Sequence, residues 1–346
     1  MSKVIYVKTT DTCNLNCQHC FTSGRNGSKT QWDWEQTQRW VNEFLTQHPD
    51  DQVHLELHGG EPFLVSLDTL ERFVAPYKDD KRVSLGATTN LVYRLTDRHV
   101  AFIKDVLGYR VGTSWDGGIR FENEKQKALW LRNVKQLRDE GVTIKLFVSV
   151  TSELVAQPVE DFLSLMGEIQ PDEIALERLT SNGNATQHND IFPDNERQDN
   201  WYLSLFKAYK AGNYPFEITT LDIIEERLQA NLVKADTNCR NCEQNLVTIN
   251  ADGGLSGCPN AAMTNVYGNV NEEVETYLSS EGRISEIGKE LDFHPNCLQC
   301  DVFDVCGGDC HRLSWQGNRC GGLKNLLRYL KYGEERNDRI AVVSLD

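Results

Sequence analysis

Three cysteines within eight residues constrain this chain more than any other feature of its sequence. Cys13, Cys17 and Cys20 are spaced C-x3-C-x2-C. Three thiolates can hold three irons of a 4Fe–4S cluster, whose usual set is four cysteines, and the fourth iron is then open to a ligand that is not protein. The alternatives are unrelated core cysteines or a structural zinc site completed by His19. Zinc would require His19 and the adjacent Cys20 to turn onto one metal.

The composition limits the partners and the compartment that we expect. The chain has 346 residues, of which 39% are hydrophobic, enough for two modest domains or one large one. Its 51 acidic and 36 basic residues give a net charge of -15, which disfavours non-specific binding to nucleic acid or to an anionic membrane. Because we find no apolar signal sequence and no membrane-length apolar stretch, we expect a cytoplasmic protein. Eleven cysteines in that compartment indicate metal binding or catalysis rather than disulfides.

Short apolar stretches alternate with longer amphipathic ones between residues 3 and 178, which predicts an α/β fold. The strand candidates are 3–9, 53–58, 83–88, 109–114, 143–150 and 173–178. The helix candidates between them are 31–47, 66–77, 96–107, 122–140 and 158–168. Strands that alternate with helices indicate parallel βαβ units. Asp68 and Thr96 lie where helix N-caps are expected, and Gly108 and Gly141 lie where helices end.

The remainder of the chain has a different character. The polar stretch 180–200 predicts a surface loop, and helices are expected at about 197–212, 220–232 and 322–332. From Cys239 onward, short strands, glycines and eight cysteines replace the α/β pattern. We therefore expect a barrel with connecting helices over residues 1–232 and a small cysteine-rich domain over residues 233–346.

Two further motifs accompany the first cysteine set. An aromatic residue, Phe21, follows Cys20 directly, and Gly-Gly-Glu-Pro at 59–62 follows the second predicted strand. With these motifs the chain resembles the radical S-adenosylmethionine (SAM) enzymes. The resemblance implies a partial (β/α)6 barrel and a cluster whose open iron binds the amino and carboxylate groups of SAM. It also implies reductive cleavage of SAM to methionine and a 5'-deoxyadenosyl radical, which abstracts a hydrogen atom from the substrate.

The resemblance places SAM at the ends of the predicted strands. It assigns the methionyl amine to the loop 59–62, whose glycines allow close backbone approach. Thr-Thr-Asn at 88–90 and Ser-Trp-Asp-Gly at 114–117 are similar to family motifs at the third and fourth strands, although Leu91 replaces the usual glycine. Ordinary strand-end polarity is the alternative interpretation of these hydroxyls and amides.

Other positions complete the expected SAM site. Arg120, or alternatively Arg132, is the candidate partner of the SAM carboxylate, because guanidinium–carboxylate pairs are strong. The segment 176–180 is similar to the family's strand beside the adenine, followed by a Gly-x-Ala turn. The residues that we expect at SAM are Phe21, Gly59, Gly60, Glu61, Pro62, Thr89, Asn90, Ser114, Asp116, Arg120 and Leu179.

Candidate catalytic residues lie on the second strand and near the later motifs. His54, Glu56 and His58 share one face of the strand at period two. His54 and Glu56 indicate an ordinary polar strand face, with metal binding as the alternative, whereas His58 directly precedes the loop 59–62 and is expected to contact the active site. The candidates for a catalytic base are Glu177, Asp309 and His311.

A second cysteine set dominates the C-terminal part. Its spacing is C-x2-C-x5-C-x3-C from Cys297 to Cys310. This set, with Gly-Gly at 307–308, resembles the SPASM domain, named for subtilosin, PQQ, anaerobic sulfatase and mycofactocin maturation. The resemblance implies two auxiliary 4Fe–4S clusters, one held by Cys239, Cys242, Cys258 and Cys310 and the other by Cys297, Cys300, Cys306 and Cys320. Two zinc ribbons are the alternative.

The sequence differs from the family's pattern in two respects. Relatives that oxidise serine or cysteine to formylglycine carry an aspartate just after the cysteine equivalent to Cys258, but Pro259 and Asn260 follow it here and neither is a base. Many peptide-modifying relatives begin with a winged-helix recognition domain, whereas the first predicted strand starts near residue 4. We therefore expect any leader peptide to bind the barrel rim or a separate recognition protein.

These observations predict a radical SAM/SPASM oxidoreductase that modifies a residue of a ribosomal peptide or protein. With three 4Fe–4S clusters, the auxiliary pair would either take the second electron after hydrogen abstraction or include one cluster that positions the substrate. Eight cysteines suffice to close both clusters, which favours electron transfer, and a flavodoxin or ferredoxin would supply the first electron. One alternative is oxidation or rearrangement of a small molecule or nucleotide. The other is a non-catalytic iron–sulfur or zinc module.

Overall fold

Strands alternate with helices in the first part of the chain, and shorter strands follow. The structure is a computed structural model, and it describes residues 2–22, 24–229 and 240–333. Its strands are β1 (Ser2–Lys8), β2 (Gln52–His58), β3 (Val83–Ala87), β4 (Arg110–Trp115), β5 (Thr143–Val150), β6 (Glu173–Arg178), β7 (Glu217–Ile218), β8 (Leu246–Ile249), β9 (Gly254–Ser256) and β10 (Gly268–Asn269). The strands β1 to β6 agree with the six predicted strands to within one residue at each end.

The helices alternate with these strands up to β7. They are α1 (Trp34–Gln47), α2 (Leu67–Val74), α3 (Asp97–Asp105), α4 (Glu124–Asp139), α5 (Ser152–Val155), α6 (Val159–Ile169), α7 (Asn195–Ala211), α8 (Thr219–Gln229), α9 (Cys242–Asn245), α10 (Val274–Leu278), α11 (Glu281–Glu290), α12 (Pro295–Leu298), α13 (Phe303–Cys306) and α14 (Lys324–Tyr332). The last residues of the helix predicted at 220–232 lie outside the described residues. Within the part of the chain that the structure describes, no helix is long and apolar enough to cross a membrane.

The first six strands form an open barrel, as predicted. Strands β1, β2 and β3 pair in parallel in one sheet, and β4, β5, β6 and β7 pair in parallel in another. A single parallel bridge between Thr88 and Gly112 joins β3 to β4. The carboxyl ends of the six strands consequently lie at the same end of the barrel, which brings the loops after them together.

The cysteine-rich part continues the barrel's own sheet. Strand β8 pairs in parallel with β1, in a register that places Val4 opposite Leu246 and Val7 opposite Ile249. Strands β9 and β10 then add antiparallel pairs at the outer edge. The expected division at residues 232 and 233 falls in 230–239, outside the described residues, and it stays a prediction.

Helices cover the outside of the barrel with one apolar face each. In α1 the buried side chains include Trp40, Val41 and Phe44, which recur at the spacing of one helix face. In α4, Trp130 and Leu137 are fully buried, and the Trp130 indole donates to Thr113 Oγ1 at 3.0 Å. Burying each such large side chain contributes about 1.5–3 kcal/mol, so these faces hold the helices against the strands and keep the strand ends in place.

Of the two predicted helix N-caps, the structure has one at the predicted residue. Thr96 is the N-cap of α3, as predicted, and it contacts His99 Nδ1 through both its hydroxyl and its backbone N–H. The prediction that Asp68 caps α2 was wrong. The N-cap is Ser66, whose hydroxyl accepts the N–H of the residue three positions later, and Asp68 lies in the first turn and pairs with Arg98.

Candidate active site

The predicted site residues converge on one cavity inside the barrel, which we call the barrel cavity. It has a volume of about 810 Å³ and reaches the C-terminal ends of β1 to β6. Cys13, Cys17 and Cys20 all line it. The other predicted residues that line it are Phe21, His58, Gly59, Gly60, Thr89, Asn90, Ser114, Asp116, Arg120, Glu177 and Leu179. This is the end of the barrel where parallel α/β folds place their chemistry.

The loop 59–62 packs its backbone directly on the cysteine loop. The Gly60 N–H donates to the Thr10 carbonyl at 2.7 Å, and the next N–H donates to the Thr12 carbonyl at 3.0 Å. A Cβ on Gly60 would lie 2.1 Å from Thr12 O, and one on Gly59, whose φ is +131°, would lie 2.2 Å from Thr10 O. Only glycine fits at these positions, because any side chain would push the two loops apart.

Glu61 anchors the site from behind and does not line the cavity. Its fully buried carboxylate accepts hydrogen bonds from Phe63 N at 3.0 Å, Thr89 Oγ1 at 2.7 Å and Asn90 N at 2.6 Å. Burial raises the pKa of Glu61 to about 7, although these three donors oppose the shift. Glu61 therefore fixes the strand-end motif of β3, and Pro62, also buried, begins a short 3-10 helix behind it. What the loop presents to the cavity is the backbone of its two glycines.

Cys13 accepts hydrogen bonds from two neighbouring donors. The Asn90 side-chain amide and the Leu15 N–H each lie 3.3 Å from Cys13 Sγ. Burial raises the pKa of Cys13 to about 11 and that of Cys17 to about 12, so metal binding must displace protons from these thiols. Donors directed at a sulfur stabilise its anionic, metal-bound form, and the site therefore fits a thiolate-held cluster.

Leu91 adopts a backbone conformation that is usual for glycine. Its φ is +52°, in the left-handed region, and its side chain is fully buried. The side-chain amide of Asn133, on α4, donates to the carbonyls of Leu91 and Tyr93 at 2.9 and 2.8 Å. This buried asparagine holds the loop after β3 in place and offsets the backbone strain.

Asp116 and Arg120 form a buried ion pair at the wall of the cavity. Arg120 Nε donates to Asp116 Oδ2 at 2.5 Å, and the Ser149 N–H donates to the other carboxylate oxygen at 3.0 Å. Burial alone would raise the pKa of Asp116, but the charges of Arg120 and His19 outweigh burial and hold the pKa at about 2. His19 contacts Asp116 at 3.4 Å, and the alternative arginine, Arg132, is exposed on α4.

The turn after β6 closes the other side of the cysteine loop. The Asn184 N–H donates to the Cys20 carbonyl at 2.9 Å, and its side-chain amide donates to the Cys17 carbonyl at 3.0 Å. Gly183 has a φ of +48°, and a Cβ there would lie 2.3 Å from Cys20 O. The Gly-x-Ala turn expected from the sequence therefore holds the cysteine loop from the side opposite to the loop 59–62.

His58 lies between two aromatic rings at the end of β2. Its ring centroid is 5.6 Å from that of Phe21 and 5.9 Å from that of Tyr6. The Gly59 N–H donates to His58 Nδ1 at 2.8 Å, so the proton of the neutral ring is on Nε2. Burial lowers the pKa of His58, and the ring is neutral at physiological pH.

The part of the barrel cavity lined by the predicted polar face of β2 is polar. His54 Nε2 lies 2.8 Å from Glu56 Oε2, and Thr88 Oγ1 donates to the other oxygen of Glu56 at 2.6 Å. A Cβ on Gly86 would lie 2.2 Å from Glu56 Oε2, and one on Gly112 would lie 2.8 Å from Thr88 Oγ1. Gly86 in β3 and Gly112 in β4 are the sequence features from which this space next to β2 could have been predicted.

A second cavity of about 430 Å³, the C-terminal cavity, lies among the later cysteines. It is lined by Cys297, Cys300, Cys306, Cys310 and Cys320. Asp309 and His311 line it too, rather than the barrel cavity. Cys242 and Cys258 are hydrogen-bonded to each other, and Cys239 lies outside the described residues.

A single zinc ion and a cluster require different arrangements of cysteines. Across residues 2–22, 24–229 and 240–333, no three His, Cys, Asp or Glu side chains are grouped closely enough for one metal ion. Zinc–sulfur bonds of about 2.3 Å would bring the sulfurs of a tetrahedral site to about 3.8 Å from one another. A cluster instead bonds each cysteine to a different iron.

Comparisons with known proteins agree with this architecture. A family model described as a 4Fe-4S single cluster domain matches residues 3–94. An uncharacterised protein of Methanocaldococcus jannaschii is 24% identical over 281 residues, which cover 78% of this chain and 90% of that protein.

Solved structures resemble the chain over most of its length. The anaerobic sulfatase-maturating enzyme anSMEcpe, with bound AdoMet and the Cp18Cys peptide, superposes with a TM-score of 0.75 at 17% identity and 90% coverage of both chains. Streptococcus suis SuiB bound to S-adenosylmethionine superposes with a TM-score of 0.63 at 13% identity, covering 90% of this chain and 73% of that one. The chain therefore has the fold of the radical SAM enzymes that carry a C-terminal SPASM domain.

Proposed function

We propose that the chain is a radical SAM enzyme that modifies a residue of a ribosomal peptide or protein. The observation that carries the proposal is the convergence of Cys13, Cys17, Cys20 and the strand-end motifs on one barrel cavity. When bound there, a 4Fe–4S cluster and SAM would supply reductive cleavage to methionine and a 5'-deoxyadenosyl radical that abstracts a hydrogen atom from the substrate.

The residues around the cavity suit the two ends of the SAM amino acid. The backbone of Gly59 and Gly60 lines the cavity beside the cysteine loop and would accept from the ammonium group. Arg120 lines the same cavity, and within the described residues its guanidinium makes a hydrogen bond through Nε alone, which leaves its terminal nitrogens for the carboxylate. Its pairing with Asp116 fixes the orientation of the guanidinium.

The C-terminal cysteines would hold the two auxiliary clusters. We assign Cys239, Cys242, Cys258 and Cys310 to one and Cys297, Cys300, Cys306 and Cys320 to the other, as expected from the sequence. Full sets of four cysteines leave no open iron for a substrate, so these clusters would take the second electron after hydrogen abstraction.

A peptide or protein is the proposed substrate class, and formylglycine formation is not the proposed reaction. The solved relative anSMEcpe carries a bound peptide, and its fold matches this chain over 90% of the length. Pro259 and Asn260, which line the barrel cavity, offer no carboxylate to take a proton. Glu177 and His58 both line the cavity, and Glu177 is the proposed base, because His58 Nδ1 already accepts the Gly59 N–H. Asp309 is held in an ion pair at the C-terminal cavity.

A deuterium-transfer screen tests this function. The reconstituted enzyme is reduced anaerobically, with dithionite or with flavodoxin or ferredoxin, and incubated with SAM and deuterated candidates. Transfer of deuterium from a peptide into 5'-deoxyadenosine supports the proposal, and Cys17→Ala should abolish it. Transfer only from a small molecule or nucleotide would replace the substrate class, and SAM cleavage absent with every candidate would contradict the function.

A further inference from the structure

Arg178 and Asp309 form an ion pair between the two cavities. Arg178 is the last residue of β6 and lines the barrel cavity. Its two terminal nitrogens each donate to a different oxygen of Asp309 at 2.7 Å, and one also donates to the Gly321 carbonyl at 3.0 Å. Asp309 and Gly321 line the C-terminal cavity. The pair therefore joins the wall of one cavity to the wall of the other.

Asp309 is fixed beside the later cysteines. Its φ is +51°, and its Oδ1 accepts the Cys310 N–H at 2.6 Å. A Cβ on Gly322 would lie 3.3 Å from Asp309 Oδ2 and 3.6 Å from Cys320 Sγ, so the carboxylate and this thiol face the same small space. The side chains of Arg178 and Asp309 are only 17% and 18% exposed, so their charges act through a medium that screens less than water.

We propose that the Arg178–Asp309 pair sets the reduction potential of the auxiliary cluster in the C-terminal cavity. The inference rests on the proposed function, because it requires a cluster there. Reduction adds one negative charge to a cluster, so a fixed positive charge nearby favours the reduced form and a fixed negative charge disfavours it. Arg178 and Asp309 thus act in opposite directions, and both are positioning residues rather than catalytic ones.

The two partners give predictions of opposite sign. Asp309→Asn removes the negative charge but tolerates the left-handed backbone and can still accept the Cys310 N–H, so we expect a more positive potential. Arg178→Gln removes the positive charge, so we expect a more negative one. Arg178→Lys keeps the charge, and the double variant Arg178→Gln with Asp309→Asn removes both, so each should lie near the wild-type potential.

The experiment is an anaerobic redox titration of the reconstituted full-length protein, followed by low-temperature electron paramagnetic resonance. Addition of SAM identifies the signal of the SAM-binding cluster, because only that spectrum should change. Iron content and circular dichroism establish that each variant is folded and loaded. Arg82→Gln is the matched control, because Arg82 also forms a two-pronged pair, with Asp80, but lines neither cavity.

Opposite shifts of one auxiliary signal in the two single variants, with no shift in Arg82→Gln, support the inference. Shifts in the same direction, or no shift in variants with full iron content, overturn it while leaving the proposed function intact. If Arg178→Gln does not take up iron, the sign of the shift in Asp309→Asn decides. A wild-type protein with about four irons instead of the twelve of three clusters would overturn both the inference and the C-terminal part of the proposed function.

Discussion

Replacement of Glu61 distinguishes a buried anchor from a direct SAM ligand. The carboxylate satisfies the N–H groups of Phe63 and Asn90 and the hydroxyl of Thr89 in a fully buried place. In Glu61→Ala the Thr89 hydroxyl can donate to the Tyr93 oxygen, which lies 3.2 Å away. The N–H groups of Phe63 and Asn90 lose their acceptor. At about 1–3 kcal/mol for each unsatisfied group, the loss in the free energy of unfolding should be about 2–6 kcal/mol.

Glu61→Gln should cost less than Glu61→Ala, because the amide keeps one acceptor oxygen. Its NH2 group must then face a donor, so we expect a loss of about 1–3 kcal/mol. Glu122→Gln is the control, since Glu122 forms an exposed pair with Arg25 and should change stability by about 0.5 kcal/mol or less.

The assay is urea unfolding under anaerobic conditions, followed by circular dichroism, with SAM affinity measured in parallel by equilibrium dialysis. Because Asn90 donates to Cys13 Sγ, Glu61→Ala should also lower the iron bound at the first cysteine set. If Glu61→Gln unfolds like wild type but no longer binds SAM, the carboxylate contacts SAM directly and our interpretation of its anchoring role is refuted.

Further substitutions test other parts of the site. Gly60→Ala should reduce iron and SAM binding, because its Cβ would lie 2.1 Å from a carbonyl of the cysteine loop; Gly167→Ala, with nothing within 4 Å, is the control and should keep both. Gly86→Ala should displace Glu56 and lower the free energy of unfolding by about 1–3 kcal/mol, and a fully stable variant would mean that the polar network is loose. Asp116→Asn should cost about 3–5 kcal/mol at pH 7, because it leaves Arg120 buried without its partner. The pKa of Asp116 is held at about 2, below its ordinary 3.8, so the contribution of its ionised form to the free energy of unfolding should be constant above pH 5 and should be lost as pH falls from 3.8 through 2. A loss between pH 7 and 5 would contradict the pairing.

Backbone features of the barrel could be predicted closely, because they follow from local patterns. Parallel strands buried on both faces appear as short apolar stretches, and the six strands were located to within one residue. The cysteine spacing predicted that the three thiols lie together, and the glycines at 59 and 60 predicted close backbone approach. Both features depend on residues that are near one another in the sequence.

Side-chain directions could not be predicted in the same way. Glu61 lies in the right loop, but its carboxylate faces protein donors rather than the cavity. Asp309 and His311 flank Cys310, the last cysteine of the second set, and both line the C-terminal cavity rather than the barrel cavity. The Glu56 carboxylate has space because residue 86 on the neighbouring strand is glycine, and the sequence of one strand alone does not show this contact. These outcomes depend on tertiary packing rather than on local pattern.

The most direct test of the account is an anaerobic count of iron and sulfide together with SAM cleavage. The reconstituted protein is reduced and mixed with SAM, and 5'-deoxyadenosine is measured alongside Cys17→Ala. The account predicts about twelve irons per chain, the sum for three four-iron clusters, and cleavage that the variant lacks. Zinc in place of iron after careful reconstitution, with no 5'-deoxyadenosine, would contradict it.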